Sequence, residues 1–128
     1  MKKVNKELLV LDCEGEVGSV NGYNAAVSAM GDNQVAIAAG AYSVASATGA
    51  NSVAMTTGEY GRASALGKDS LAIGWGGTAK VKGVLGSYIQ ISDFADGNLN
   101  IRLERVDGIT IMPDTWYSLV NGELRKAE

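Results

Sequence analysis

The sequence predicts an all-β fold: a single-stack parallel β-roll (a β-solenoid) with 18-residue repeats, closed by a C-terminal antiparallel β-meander. Three observations predict it. Three consecutive segments align without a gap at a spacing of 18: GDNQVAIAAGAYSVASAT from Gly31, GANSVAMTTGEYGRASAL from Gly49 and GKDSLAIGWGGTAKVKGV from Gly67. Self-similarity at a fixed period marks stacked architectures. Each segment holds two short alternating stretches, V-A-I-A and V-A-S-A or their equivalents, separated by turn-forming runs such as Thr-Gly-Glu-Tyr-Gly; alternation is the strand signature. Finally, hydrophobic residues make up 46% of the chain but aromatics only 6%, beside 17 Gly. The apolar mass is therefore Ala, Val, Ile and Leu, which suits closely stacked layers. A glycine at about every ninth position, at about 1 kcal/mol each, disfavours helix.

Taken in order, residues 1–16 form an N-terminal strand and cap, in which residues 6 to 12 cover one end of the stack. Cys13, the one cysteine, makes an internal disulfide impossible and reads as a small buried residue. Residues 17–91 form the roll. A degenerate unit over 13–30 keeps Val17, Gly22, Ser28 and Ala29 in the repeat columns, and Ile89 and Ile91 begin a partial last unit. The recurrent turn glycines supply φ > 0 at tight corners. Residues 92–128 form the meander. Leu99, Ile101 and Leu103 alternate with Asn100, Arg102 and Glu104; Ile109 to Met112 is a further strand; Asn121-Gly122 joins a last hairpin. Trp116, Tyr117 and Phe94 supply the meander's core. An open stack exposes unpaired strand edges, so both ends need such covers.

Within a unit, the larger residues of the first strand are expected inside: Val35, Ile37, Val53, Met55, Leu71 and Ile73. They face Ala45, Ala47, Ala63, Ala65, Val81 and Gly83 of the second strand, large against small across a thin interior. The first strand then shows Ala36, Ala38, Ala54, Thr56, Ala72 and Gly74 on its outer face, with no charge among them. Such a face calls for a partner, and these six are the expected oligomer interface. A charge at Ala54 is expected to break the assembly, and one at Ser64 to be tolerated. The outer face of the second strand carries Ser46, Arg62, Ser64, Lys80 and Lys82 and reads as solvated, with a basic strip that could meet a polyanion.

The chemistry-bearing patterns are thin. With no His and one Cys, the Ser-His, Cys-His and zinc arrangements are missing from the sequence. Gly67-Lys68 lacks the spacing and the following Ser/Thr of a phosphate loop. Asp93, Asp96, Asp107 and Asp114 fall in expected turns, where Asp is common. No catalytic, cofactor-binding or metal-binding residue is expected, and the chain is not expected to be an enzyme. A net charge of -3 gives no footprint for nucleic acid, and the run Leu8 to Leu11 is too short for a membrane span or an export signal. The chain is expected to be made in the cytoplasm. One edge could bind a ligand. Tyr42 and Tyr60 share a column, so stacking places them about 4.8 Å apart, and Trp75 lies nearby in sequence; aromatic edges accept glycan rings.

The units NSVAMTTGEYGRASALG and DSLAIGWGGTAKVKG resemble the head repeats of trimeric autotransporter adhesins, over roughly residues 17 to 91. The resemblance implies a left-handed parallel β-roll, three chains packed side by side and adhesion to surfaces. The chain departs from that family in its longer unit and its lack of an export signal, coiled-coil stalk and membrane anchor. The closing Pro113 to Gly122 segment has a weaker likeness to small phage- and prophage-associated repeat proteins of gut bacteria. Together these give the expected function: a structural or adhesive homotrimer, a phage fibre or head-decoration module, whose partners are other virion proteins or a surface glycan or protein. The alternative is a cytoplasmic binding module that uses the roll's edge. A hexapeptide-type acyltransferase solenoid fits poorly, because Glu59 falls where every sixth residue should be aliphatic.

Overall fold

The computed structural model describes residues 2–4, 8–11, 15, 17–20, 23–76, 78–95 and 97–127. Its strands run in chain order as β1 (Lys2–Val4), β2 (Leu8–Leu11), β3 (Val17–Val20), β4 (Ala26–Ala29), β5 (Val35–Ala38), β6 (Val44–Ala47), β7 (Val53–Thr56), β8 (Arg62–Ala65), β9 (Leu71–Gly74), β10 (Lys80–Gly83), β11 (Tyr88–Ala95), β12 (Asn98–Arg105), β13 (Tyr117–Val120) and β14 (Glu123–Lys126). No helix occurs among the described residues. The expectation for Cys13 lies outside them.

The chain is a parallel β-solenoid. Odd-numbered strands from β1 to β11 stack into one seven-stranded sheet, sheet A, which ends in β12. Even-numbered strands from β2 to β10 stack into a second, sheet B, which ends in β13 and β14. From β2 to β8 each strand pairs with the strand 18 residues on, as in Val35 with Val53 and Val53 with Leu71, while β1 meets β3 two residues early, Lys2 against Gly18, and β9 meets β11 one residue early, Leu71 against Tyr88. The parallel ladder reaches back through β1 and β2, so the stacking begins before residue 17.

The finer period is nine. Strands begin at 17, 26, 35, 44, 53, 62, 71 and 80, so each coil is two half-coils of a four-residue strand and a five-residue turn. The fourth turn residue has φ > 0 at Asn24, Asn33, Tyr42, Asn51, Tyr60 and Asp69. This corrects the role expected of the recurrent glycines. Asn, Asp and Tyr hold the left-handed position, while Gly49 and Gly58 are needed for close approach and Gly76, at φ 103°, is the recurrent glycine that does supply a positive φ. A Cβ on Gly49 would lie 2.1 Å from the carbonyl oxygen of Gly31, and one on Gly58 would lie 2.2 Å from that of Gly40. On the turn edge that leads from sheet B to sheet A, the next column is a hydroxyl ladder. Ser52 Oγ accepts from Gln34 N–H, Ser70 Oγ accepts from Ser52 N–H, and the two hydroxyls donate to the carbonyls of Gly31 and Gly49. Buried turn amides thereby find partners.

The interior is the opposite of the expected one on sheet A. Ala36, Ala38, Ala54, Thr56, Ala72 and Gly74 are buried inside the roll, facing Ala45, Ala47, Ala63, Ala65, Val81 and Gly83. Val35, Ile37, Val53, Met55, Leu71 and Ile73 point out of sheet A and are half-buried. Space is the reason. A Cβ added to Gly74 would already stand 2.9 Å from Val81 Cγ1 and 3.0 Å from Ala79 Cβ. Five-residue turns bring the sheets too close for branched aliphatics on either inner face. Bulk returns only at the stack's ends, in Val20 and Val27 and then Val81, Ile89 and Ile91.

The C-terminal region is two hairpins, one continuing each sheet. β11 extends the parallel stack through β9 and turns back as β12, pairing Tyr88 with Arg105 and Ala95 with Asn98. β13 pairs antiparallel with β10 at Val81 and Tyr117, then with β14. Asp93, which is buried, ties the hairpins together: its carboxylate accepts from Asn100 Nδ2 at 3.0 Å and from Gly122 N–H at 3.4 Å. It sits in a strand, not in the expected turn. Residues 109–112 are not a strand either. Asp107 Oδ1 accepts the amides of Ile109, Thr110 and Ile111 at 2.9–3.0 Å, which winds the segment into a compact loop. These amide bonds, that of Ile109 foremost, hold the Asp107 carboxyl below the usual aspartate range. The core under the hairpins is Ile89, Ile91, Val106, Ile111, Tyr117 and Leu119, with Leu124 against it. Of the three expected core aromatics only Tyr117 belongs to it; Phe94 is 64% exposed and Trp116 lies outside sheet B.

Candidate functional site

The turns leading from sheet A to sheet B form one long edge of the roll. In successive coils they read Ala39 to Ser43, Thr57 to Gly61 and Trp75 to Ala79. Their fourth position is the left-handed one, held by Asn24, then Tyr42 and Tyr60, with Thr78 next in the column. On the opposite edge the same position is Asn33, Asn51 and Asp69, residue types whose short polar side chains tolerate that conformation. Tyrosine has no such advantage, and a bulky residue at φ 56–58° is strained. The backbone is held there by the neighbouring coil: Tyr42 N–H donates to the carbonyl of Glu59 at 2.8 Å, and Tyr60 N–H to Thr78 Oγ1 at 2.9 Å.

The rings make a ladder. Tyr42 and Tyr60 stack with centroids 5.0 Å apart and planes within 14°, as the shared column predicts. Tyr23 meets Tyr42 edge-on at 5.5 Å. The sequence reading missed Tyr23, which lies one residue before the column; its only signal is an aromatic beside Asn24 in an otherwise small-residue turn. The ladder ends at Tyr60. Beside it runs a groove of about 270 Å³ lined by Asn24, Tyr42, Val44, Tyr60, Arg62, Thr78 and Lys80. Arg62 and Lys80 are register partners on β8 and β10. Trp75 is not in this groove. It lines a neighbouring one of about 280 Å³ with Thr57, Gly58 and Glu59, and Thr78 borders both. The expected trio of Tyr42, Tyr60 and Trp75 is thus divided between two grooves, and the cations of the supposedly solvated face join the tyrosines.

On the outer side of sheet B, Trp116 is held between cations, 4.8 Å from Lys82 Nζ and 5.6 Å from the Arg62 guanidinium carbon. Lys82 also pairs with Asp114 at 3.1 Å. Ser64, in register with Lys82 and one residue beyond Ala63, is only 5% exposed although its side chain points outward. The face expected to be open to solvent is covered there.

The six residues expected as the oligomer interface are interior, so none of them can meet another chain. The outer face of sheet A carries Val35 and Ile37, Val53 and Met55, then Leu71 and Ile73, and through Tyr88, Gln90, Ser92 and Phe94 of β11 it continues to Arg105, Leu103, Ile101 and Leu99 of β12. The last three are 57%, 49% and 45% exposed, while Asn100, Arg102 and Glu104 point the other way. Among the described residues no group of three or more His, Cys, Asp or Glu could hold a metal ion, and no helix is long and apolar enough to cross a membrane. Compared with protein families, curated proteins and solved structures, the chain matches none.

Proposed function

We propose that the chain is a non-enzymatic structural module that assembles as a homotrimer through the outer face of sheet A. The observation that carries this reading is β12. An edge strand beside solvent should turn its polar residues outward, yet β12 turns Leu99, Ile101 and Leu103 to the outer side of sheet A, where Leu103 continues the column of Ile37, Met55 and Ile73 through Gln90. The roll itself repeats the inversion. Its larger aliphatics are outside sheet A and its interior is alanine, so a lone chain leaves its most hydrophobic residues half in water.

Six strands from β3 to β12, at about 4.8 Å spacing and about 3.3 Å per residue, give a strip of about 500 Å² once the longer β11 and β12 are included. That is the size of the largest apolar patch on a typical monomer, a patch that is often functional. Of this chain's possible partners, further copies of itself match a straight aliphatic repeat strip rung for rung, and three copies are what the adhesin-head resemblance implies. A virion fibre or decoration module is the setting that the weaker likeness favours.

Light scattering after size exclusion tests the reading. The expected mass is three times 13.2 kDa. Ile101→Lys together with Met55→Lys should give a folded monomer. A wild-type monomer at micromolar concentration would refute it.

A further inference from the structure

We propose that the groove below the tyrosine ladder binds a carboxylated oligosaccharide, with a pyranose ring against Tyr60 and its carboxylate at Lys80 and Arg62. Three independent observations support this. The tyrosines occupy a backbone position that Asn and Asp hold at the other edge, so the turn itself does not call for an aromatic ring. Strain of this kind, kept where an easier residue exists, concentrates at binding sites. Next, a groove runs beside the ladder, with Asn24, Tyr42, Tyr60 and Thr78 of four successive coils along one side and Val44, Arg62 and Lys80 along the other. Lastly, Arg62 and Lys80 stand directly opposite one another on adjacent strands. Both line the groove, so a carboxylate there meets two cationic side chains.

The ligand class follows from the lining. An aromatic face suits the C–H face of a sugar, two cations suit a carboxylate, and Thr78 offers a hydroxyl among them. The groove is at the small end for ligand sites, which are usually about 300–1,000 Å³, so it seats one ring of a longer chain. With a net charge of -3 the protein as a whole does not attract anions; selection rests on this local pair. The site lies on the turn edge and the outer side of sheet B, away from the outer face of sheet A, so it stands or falls separately from the proposed trimer.

The test is an amide NMR titration of the full chain with trigalacturonate, with neutral galactotriose in parallel. Trigalacturonate should shift Tyr60, Thr78 and Lys80 and saturate at millimolar concentration or below, with galactotriose at least about tenfold weaker, a difference of about 1.4 kcal/mol. Tyr60→Asn supplies the residue that the opposite edge uses, so it removes the ring and keeps the turn. It and Lys80→Gln should each weaken binding about tenfold, whereas Lys68→Gln should not. The proposal is overturned by an absence of shifts at the highest concentration, by equal binding of the neutral sugar, or by unchanged binding in a folded Tyr60→Asn protein.

Discussion

Thr56 and Gly61 face one another across the turn between β7 and β8, and their sizes are coupled. A Cβ on Gly61 would lie 1.7 Å from Thr56 Oγ1 and 2.9 Å from Thr56 Cβ. The coil before has Ala38 and Ser43 in the same two places, and the coil after has Gly74 and Ala79. Bulk at one position is matched by its lack at the other. Gly61→Ser alone must displace a threonine that is fully buried, and overpacking of this kind costs about 3 kcal/mol. Thr56→Ala alone loses a methyl contact of about 0.8 kcal/mol. It also removes a hydroxyl with no hydrogen-bond partner among the described residues, whose burial costs about 1 kcal/mol or more; the two effects nearly cancel. The double variant restores the Ala38–Ser43 arrangement and should unfold within about 1 kcal/mol of the parent, giving a coupling of about 2 kcal/mol or more. Urea unfolding by circular dichroism, at one fixed protein concentration because assembly contributes to stability, measures all four corners. Additive losses, or a harmless Gly61→Ser, would show that the interior is not sterically closed at this rung.

Other outcomes follow from the same geometry. Ala54→Glu should prevent folding altogether and yield insoluble protein, because the side chain enters an interior with no room and no counter-charge, while Ser46→Glu on the outer side of sheet B should fold with unchanged mass; a soluble, folded Ala54→Glu chain would contradict the face assignment. Asp93→Ala should detach the two C-terminal hairpins at a cost of about 3 kcal/mol or more, since it loses two hydrogen bonds and each bond to a charged group contributes about 1.5–3 kcal/mol, and should speed amide exchange at Asn100 and Gly122. The Asp107 carboxyl titrates below an ordinary aspartate, so its support of the 109–112 loop is fully present above the unfolded-state value and is lost as pH falls through the folded one. Carbon NMR of Asp107 should show that low midpoint, with faster exchange of the Ile109, Thr110 and Ile111 amides below it; an ordinary midpoint would count against the loop geometry.

The stack, its register and the tyrosine column were legible in the sequence because a gapless repeat fixes which residues become neighbours. Which way the strands face was not read correctly on sheet A. Alternation offers two choices, and the usual preference for burying large residues selected the wrong one. A signal was present: columns 36, 38, 54, 56, 72 and 74 are small in every coil, as are 45, 47, 63 and 65, whereas columns 35 and 37 vary among Val, Leu, Ile and Met. Uniform smallness marks a fixed gap between sheets; variation marks a surface that can adapt. The groove was legible only in halves, since Tyr42 with Tyr60 is a column relation while Arg62 and Lys80 reach the same spot through the turn. The 109–112 loop was misread because Ile-Thr-Ile has strand composition, and a single carboxylate two residues earlier captured its amides.

The compensation of Thr56 by Gly61, and of Gly74 by Ala79, is confined to single coils. Each 18-residue unit therefore carries its own steric accounts and makes only generic demands on its neighbours. Duplicating Gly49 through Leu66 should raise the column by one strand spacing and leave an Arg62 equivalent beside Trp116. A gene that encodes such units can alter the reach of its product by recombination alone, and the distance from the N-terminal strands to the C-terminal hairpins becomes a heritable length, set in steps of about 4.8 Å.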